Sequence, residues 1–598
     1  MQAPLARTRF LPLTLMLLTI LGSSNAFATE PGPATPVQPL ELQCGGPRHA
    51  ELMQAFQQAQ QFAYAGNDEC VDYFFATAVQ CWGEVTEGLS QDPPQLWRGS
   101  MRLYNSAVVS SLIYGQHFGR LDLLQGLKVR VGEEWYTVPV TKRGMPWRLD
   151  QIDCLRTAGT CFENPHFLPT VRVGLGGSLL GVHFRRSGNP EDERFFDKQA
   201  ISITALLCPN DESADTPSAW RFEFNSPINE TTKVVQGYRL GLSRNIAAAV
   251  QFVLSQLEAE MNPIKAFLQP EIAMDHEGLL MCQPYQPGKI PLVLVHGLLS
   301  SPTTWGTILN DLLNQPKLME RYQIWVYLYP TSMPFLATAA DLRKDLRSTL
   351  CYLDPNGRDP ALQNMILMGH SMGGLLSRLQ VVHSGHILWN LFAKVPFSEL
   401  EGTPQQKQKI ADWLFFEPQP FITRVVFMSV PHKGSGMSQR LIGCLGKLLA
   451  GQPHESAEDW KEVRRLNKDN LRPYIPRRLP SSVRGLSPRS PGLKGLNMLP
   501  FASHVKLHSI IGTGGLEPCF PGDGVVAVDS ARIGGVESEL FVDAGHSSIK
   551  EQPETLREIH AILWLHLRES PPDLSPIPEQ LAPTPDQQFD ILPPLPTP

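Results

Sequence analysis

Met365-Ile366-Leu367-Met368-Gly369-His370-Ser371-Met372-Gly373-Gly374-Leu375-Leu376-Ser377-Arg378-Leu379 decides how this chain is read. A short apolar run enters Gly-x-Ser-x-Gly, and a helix-compatible stretch leaves it. Strand, sharp turn and helix in that order are the layout of a nucleophile elbow, where a serine on a strained turn projects its hydroxyl from the sheet. Gly369 and Gly373, two before and two after Ser371, must be small because strand and helix backbones crowd each other there. Three fixed positions are weak evidence alone, so the flanking sequence has to supply the rest.

Outward from the elbow, the chain from Ile290 alternates apolar strand-like runs with helix-like ones, the pattern of a parallel sheet flanked by helices. Pro291 to Val295, Ile324 to Leu328, Met365 to Met368, Val425 to Met428, Leu507 to Ile511 and Leu540 to Val542 read as successive strands. Helices are expected from near Pro302, over Leu336 to Leu350, and after Pro553. Two insertions interrupt this order. Residues 385–420 carry Trp389, Leu391, Phe392, Trp413, Leu414, Phe415 and Phe416, and read as a cap or a mobile lid. Residues 435–504 carry Lys461, Arg464, Arg465, Lys468, Arg472, Arg477, Arg478, Arg484 and Arg489, and read as a basic insertion. A solvated polar helix and loop is the plain explanation of such a run, and a contact for anionic head groups the alternative.

A serine hydroxyl needs a base to take its proton, and the base needs a group that orients it. Beyond an elbow serine the acid and then the histidine follow in chain order. Asp523 lies between glycines in Gly522-Asp523-Gly524-Val525-Val526, and His546 ends Val542-Asp543-Ala544-Gly545-His546. Both fall just past strand ends, where active-site loops of open α/β sheets collect. Asp529 and Asp543 are the rival acids, His432 the rival base, and His560 and His566 fit structural roles on the last helix. An oxyanion hole requires two backbone N–H groups. Met372 follows the nucleophile, and Leu298 lies in His296-Gly297-Leu298-Leu299 after an apolar strand. His296 and His370 are expected to support the site's shape without moving protons, together with Gly297, Gly369 and Gly373.

The rest of the chain has a different texture. Residues 1–28 read as a signal peptide, with Arg7 and Arg9, an apolar run from Phe10 to Gly22, and Ala26-Phe27-Ala28 as a cleavage site. The reading is therefore an exported protein that is periplasmic, outer-membrane-associated or secreted. Residues 29–39 form a proline-rich lead and 569–598 a proline-rich disordered tail. Between them, 40–285 read as a strand-rich mixed accessory domain of unknown role, with helical spacing near its start, and 286–568 as the catalytic domain. At 42% apolar and 18% charged residues the chain is globular, not wholly disordered. A net charge of -6, or -8 once Arg7 and Arg9 are removed, gives no field for nucleic acid. The ten cysteines match no zinc spacing, and Cys154 with Cys161 is the one local pair that suggests a bridge.

Val293-Leu-Val-His-Gly-Leu-Leu, Gly369-His-Ser-Met-Gly-Gly, Val430-Pro-His-Lys-Gly-Ser, Gly522-Asp-Gly-Val-Val and Gly545-His-Ser together resemble the lipase and esterase branch of the α/β-hydrolase superfamily, over residues 288–568. The set is similar to GPI inositol-deacylase-like lipases and bacterial triacylglycerol lipases. The whole chain resembles exported bacterial esterase/lipase-family proteins, with a Val-Pro-Val strand at 138–140 and the junction Tyr285-Gln-Pro-Gly-Lys-Ile. A departure lies at 512–523, where Glu517, Cys519 and Pro521 lengthen the approach to Asp523. The resemblance implies hydrolysis of carboxylic esters, lipid or acyl esters among them, through Ser371, Asp523 and His546. It implies no metal or organic cofactor. The expected partners are an ester or lipid substrate and peripheral contact with a membrane or lipid interface, with no nucleic acid; the oligomeric state is open. An acyltransferase using the same triad, or a non-catalytic lipid-binding protein on a hydrolase scaffold, are the alternatives.

Overall fold

Seven strands form the central sheet: β1 Gly278–Met281, β2 Ile290–Val295, β3 Tyr322–Leu328, β4 Met365–His370, β5 Ile422–Met428, β6 Lys506–Gly512 and β7 Ser538–Val542. Their spatial order is β1-β3-β2-β4-β5-β6-β7. β1 runs antiparallel to β3, with Gly278 opposite Leu328, and the other pairs are parallel. Val293 faces Trp325 on one side and Leu367 on the other. β2, β3 and β4 are buried along their whole length, which is why they read as unbroken apolar runs. The chain order reverses around β2, so a crevice is expected beyond the carboxyl ends of β2 and β4. The structure is a computed structural model, and it describes residues 46–91, 96–160, 171–210, 216–260, 277–298, 300–435, 455–475, 485–515 and 521–569.

The helices follow from local signals. Ser301 caps a 3-10 turn whose Pro302 needs no N–H, and α1 Gly306–Leu313 continues it. α2 Phe335–Leu353 buries Leu342 and Leu346. α3 Met372–Arg378 is the elbow helix and is wholly buried. In the 385–420 insertion lie α4 Ile387–Phe392 and α5 Pro404–Leu414, the latter started by a Thr403–Gln406 capping box. α6 Glu455–Leu466 and α7 Pro491–Leu496 belong to the second insertion, and α8 Pro553–Glu569 closes the chain's described part.

The insertion 385–420 is packed down in this structure. Trp389 is 2% exposed, and its ring meets Phe397 at 5.0 Å and Phe415 at 6.2 Å. Ser384 Oγ accepts from the Phe416 N–H at 2.7 Å, and the Arg343 guanidinium of α2 lies 4.2 Å from the Phe416 ring. In the second insertion, the described stretch 455–475 is balanced rather than basic. Glu455, Glu458, Asp459, Glu462 and Asp469 offset Lys461, Arg464, Arg465, Lys468 and Arg472, and ion pairs join Arg465 to Glu462 and Lys409 to Asp459. Arg477, Arg478 and Arg484 lie outside the described residues.

In the N-terminal half, helices His49–Tyr64, Cys70–Leu89 and Arg98–His117 accompany a five-stranded sheet in the order Val140–Arg143, Trp220–Asn225, Lys198–Pro209, Gly177–Phe184, Cys154–Thr157. The helix Ile246–Glu260 places Ile246, Val250, Leu254 and Leu257 in one apolar core with Leu292 and Leu294 of β2 and Trp305 and Ile308 beside α1. β1 falls inside the span 40–285 read as accessory, yet it extends the seven-stranded central sheet. The signal peptide, the lead, Cys44, Cys161, Cys444 and Cys519 lie outside the described residues, as does the tail beyond Glu569. Cys70, Cys81, Cys154, Cys208, Cys282 and Cys351 form no disulfide with one another, and burial pushes the Cys70 thiol up to about 12 and Cys208 up to about 11. No described helix is long and apolar enough to cross a membrane.

Candidate active site

β4 ends at His370, α3 begins at Met372, and Ser371 makes the whole turn between them at φ 55°, ψ -124°. A side chain in that left-handed region is strained, and such strain persists where the surroundings hold it. Here the Ser371 N–H donates to the Met428 carbonyl at 2.9 Å, and the Gly374 N–H to the Ser371 carbonyl at 3.0 Å. The crowding expected around the elbow is present. A Cβ on Gly369 would lie 2.5 Å from the Gly374 Cα, and one on Gly373 only 2.2 Å from the Val295 carbonyl oxygen. One on Gly297 would lie 2.9 Å from the Ser371 Cβ, so the loop after β2 runs against the serine itself.

Asp523 lies on the loop after β6 and His546 on the loop after β7. The His546 Nδ1–H donates to Asp523 Oδ2 at 2.7 Å, and the His546 main-chain N–H donates to the Asp523 carbonyl at 2.9 Å. Asp523 Oδ1 accepts from the N–H groups of Val525 at 2.9 Å and Val526 at 2.7 Å. Burial by itself would raise this carboxyl, which is 4% exposed, but the bond and charge of His546, the Val526 N–H and the Ser429 hydroxyl outweigh it and hold it below the ordinary carboxylate value. The flanking glycines have separate reasons. Gly522 has no room for a Cβ, which would lie 2.2 Å from the Val526 carbonyl oxygen, and Gly524 sits at φ 88°.

The imidazole of His546 stands against that of His370, with ring centroids 4.8 Å apart. His370 Nε2 is 2.9 Å from the His546 carbonyl oxygen, which can only accept, so this nitrogen carries the proton. Burial keeps His370 far below its usual value, aided by the nearby Lys550 and His546 charges, and it stays neutral. Among the described residues, Ser371 Oγ and His546 Nε2 make no hydrogen bond, to each other or elsewhere. Contacts of this kind tighten when substrate is bound.

His296 is fully buried and stacked on Tyr329 at 4.3 Å; burial lowers it to about 4, and its Nδ1–H donates to the Gly297 carbonyl at 3.1 Å. The Tyr329 hydroxyl donates to the His296 carbonyl at 2.6 Å and thereby pins the loop that carries Leu298. The N–H groups of Leu298 and Met372 donate to no described group, as donors reserved for an oxyanion would.

The rival residues lie elsewhere. Asp529 and Asp543 are exposed. His432 is 1% exposed, packed edge-on against Phe427 beside Arg378 Nη1, and burial holds it well below its usual value. His560 bonds Asp311 at 2.6 Å, and His566 bonds the Tyr322 hydroxyl at 2.9 Å. Sequence reading missed Tyr329, Ser429 and Lys550. Tyr329 just past β3 was the only one with a local signal; the others reach Asp523 or His370 only through the fold. Among the described residues, no group of three or more His, Cys, Asp or Glu is placed to hold a metal ion.

An apolar cavity of about 190 Å³ opens between the start of α2 and the cap. Phe335, Leu336, Phe392, Ile410, Trp413 and Trp460 line it.

Comparison with known proteins agrees with this architecture. The model of the alpha/beta hydrolase family matches residues 292–559, and that part of the chain has the α/β-hydrolase fold. Among solved structures the chain is similar to the mature lipase BlEst2 of Bacillus licheniformis, at 19% identity over 48% of this chain and 97% of that one, TM-score 0.29. It is also similar to EstA of Clostridium botulinum, at 15% identity over 47% and 88%, TM-score 0.29. Phospholipase PlaB of Legionella pneumophila matches at 15% identity over 41% and 46%, TM-score 0.25. Scores of this size bear on no substrate. No curated protein matches the chain.

Proposed function

We propose that this protein is a serine hydrolase of carboxylic esters, lipid or acyl esters among them. The observation that carries the reading is the Asp523–His546 hydrogen bond of 2.7 Å, offered beside a serine held at φ 55° at the end of β4. In the first step Ser371 Oγ attacks the ester carbonyl while His546 Nε2 takes its proton, and Asp523 stabilises the imidazolium that forms. The Met372 and Leu298 N–H groups hold the oxyanion. The C–O bond to the leaving alcohol then breaks, and His546 returns the proton to it. In the second step His546 activates water, which releases the acid and frees Ser371. None of these steps draws on a cofactor.

The apolar and aromatic character of residues 385–420 supports an acyl chain as the substrate's larger part. Export through residues 1–28, and action at a lipid interface, belong to the same proposal. Hydrolysis of a chromogenic ester series from acetyl to palmitoyl, with and without a detergent interface, tests it. Turnover by the mature protein that disappears in Ser371→Ala is the expected result. A protein that turns over no ester, or a Ser371→Ala variant as active as its parent, overturns it.

A further inference from the structure

Ser429 is the first residue after β5, and it stands at φ 47°, the left-handed region that favours glycine. Only two other non-glycine residues among those described do this, Gln236 and the nucleophile Ser371. A glycine would relieve the backbone at this point. A Cβ kept in such a place needs a reason in what its side chain touches.

The contacts of Ser429 all lead to the acid loop. Its N–H donates to the Ile510 carbonyl of β6 at 2.9 Å, and its Oγ accepts from the Gly512 N–H at 3.4 Å, where β6 ends. A Cβ on Gly512 would lie 2.7 Å from the Asp523 Cβ and 3.3 Å from Ser429 Oγ, so hydroxyl and acid sit together over one α-carbon. The Ser429 hydroxyl is also among the groups that hold the Asp523 carboxyl below its ordinary value. The other oxygen contacts of that carboxylate are main-chain N–H groups of its own loop and His546. Ser429 thus brings a side-chain hydroxyl from the end of β5 beside the acid, over the last residue of β6.

The rest of the Ser429-Val430-Pro431-His432-Lys433-Gly434-Ser435 loop grips the same segment. Ser435 Oγ donates to the Val525 carbonyl at 2.6 Å, and Ser530 Oγ donates to the Gly434 carbonyl at 2.5 Å. Lys433 N–H donates to Ser530 Oγ at 3.2 Å. Val430 fills the space beside Gly374 of the elbow, where a Cβ would come within 2.0 Å of its Cγ2. One loop therefore touches both the elbow helix and the acid loop.

We propose that Ser429 is a positioning residue, whose hydroxyl fixes the Asp523 carboxylate in the rotamer that faces His546. This rests on the reading of Ser371, His546 and Asp523 given above. Ser429→Gly tests it, because it removes the hydroxyl and relaxes the backbone at once, and Ser429→Ala removes the hydroxyl while keeping the strain. The measurement is the rate at which a fluorophosphonate labels Ser371, which needs no natural substrate, together with kcat and KM on an activated ester. Both variants should lose about tenfold in labelling rate and kcat, the size of one hydrogen bond to a charged group. KM should stay within about twofold, since substrate is not touched. The melting temperature of Ser429→Gly should not fall. In an Asp523→Asn background, Ser429→Gly should cost nothing further, because its effect passes through that carboxylate. Unchanged labelling by Ser429→Gly, or a loss that adds in full to that of Asp523→Asn, overturns the proposal. Failure of the parent protein to be labelled at all would instead overturn the reading of the site on which it rests.

Discussion

Asp72, in the N-terminal half, and Asp523, in the C-terminal half, are both carboxylates drawn out of water and bonded to main-chain N–H groups. Asp72 accepts from the Arg130 N–H at 2.6 Å and is paired with Arg120, whose guanidinium also donates to the Asp68 carbonyl at 2.8 Å and the Lys128 carbonyl at 3.0 Å. An arginine keeps its charge at any ordinary pH, so this cluster is closed and has nothing to transfer. Asp523 faces an imidazole, whose far nitrogen has no hydrogen-bond partner among the described residues. A carboxylate therefore holds the fold in one place and, on the proposed reading, supports a proton transfer in the other. What differs is the ionisation of the partner and whether its second side is open.

The contrast breaks most sharply at the open end. Ser371→Ala should lower ester turnover by ~10⁴-fold or more with an unchanged melting temperature, read from initial rates and a thermal scan. Asp523→Asn should follow at about 10³- to 10⁴-fold, because the amide cannot stabilise the imidazolium. If turnover by Asp523→Asn stayed within tenfold of its parent, the two carboxylates would differ less than argued here.

Arg120→Ala sharpens the comparison from the closed end. It should cost about 1–3 kcal/mol of stability by leaving the partly buried Asp72 carboxylate without its cation. The kcat/KM of the protein that remains folded should match the parent within about twofold. Denaturant unfolding alongside esterase assays checks both parts.

A pH dependence also follows from the histidines buried around the sheet. Burial lowers His296 and His508 to about 4 and His566 to about 3, while His370 and His432 lie well below their usual value. Unfolded, each takes a proton as pH falls through about 6.5, and folded it does not until far lower. Stability is therefore full above that pH and is lost as pH falls from 6.5 towards 4, by at most about 1.4 kcal/mol per histidine per pH unit. A melting temperature that rose over this acid range would contradict the neutral burial of these rings.

Much of the catalytic half was legible because its signals are local. An all-apolar run such as Leu292 to Val295 fits a strand buried on both faces of a sheet, Gly369, Gly373 and Gly522 stand where a Cβ has no room, and Gly524 turns at positive φ. β1 was not legible, since four residues at a sheet edge carry no period and nothing local names β3 as their partner. In the second insertion the sequence shows the charges but not which of them pair, as Arg465 does with Glu462 and Lys409 of the cap with Asp459.

By itself the sequence determined the order of strands and helices, the elbow serine and the two loops that bear Asp523 and His546, since these depend on backbone conformation and residue size within a few positions. Tertiary structure alone decided that His546 meets Asp523 and not Asp529 or Asp543, that His432 faces inward, and that Ser429 lies beside Asp523, 94 positions away. Those outcomes depend on which strands lie side by side, and a pairing of β5 with β6 and β6 with β7 is set by the packing of the whole sheet.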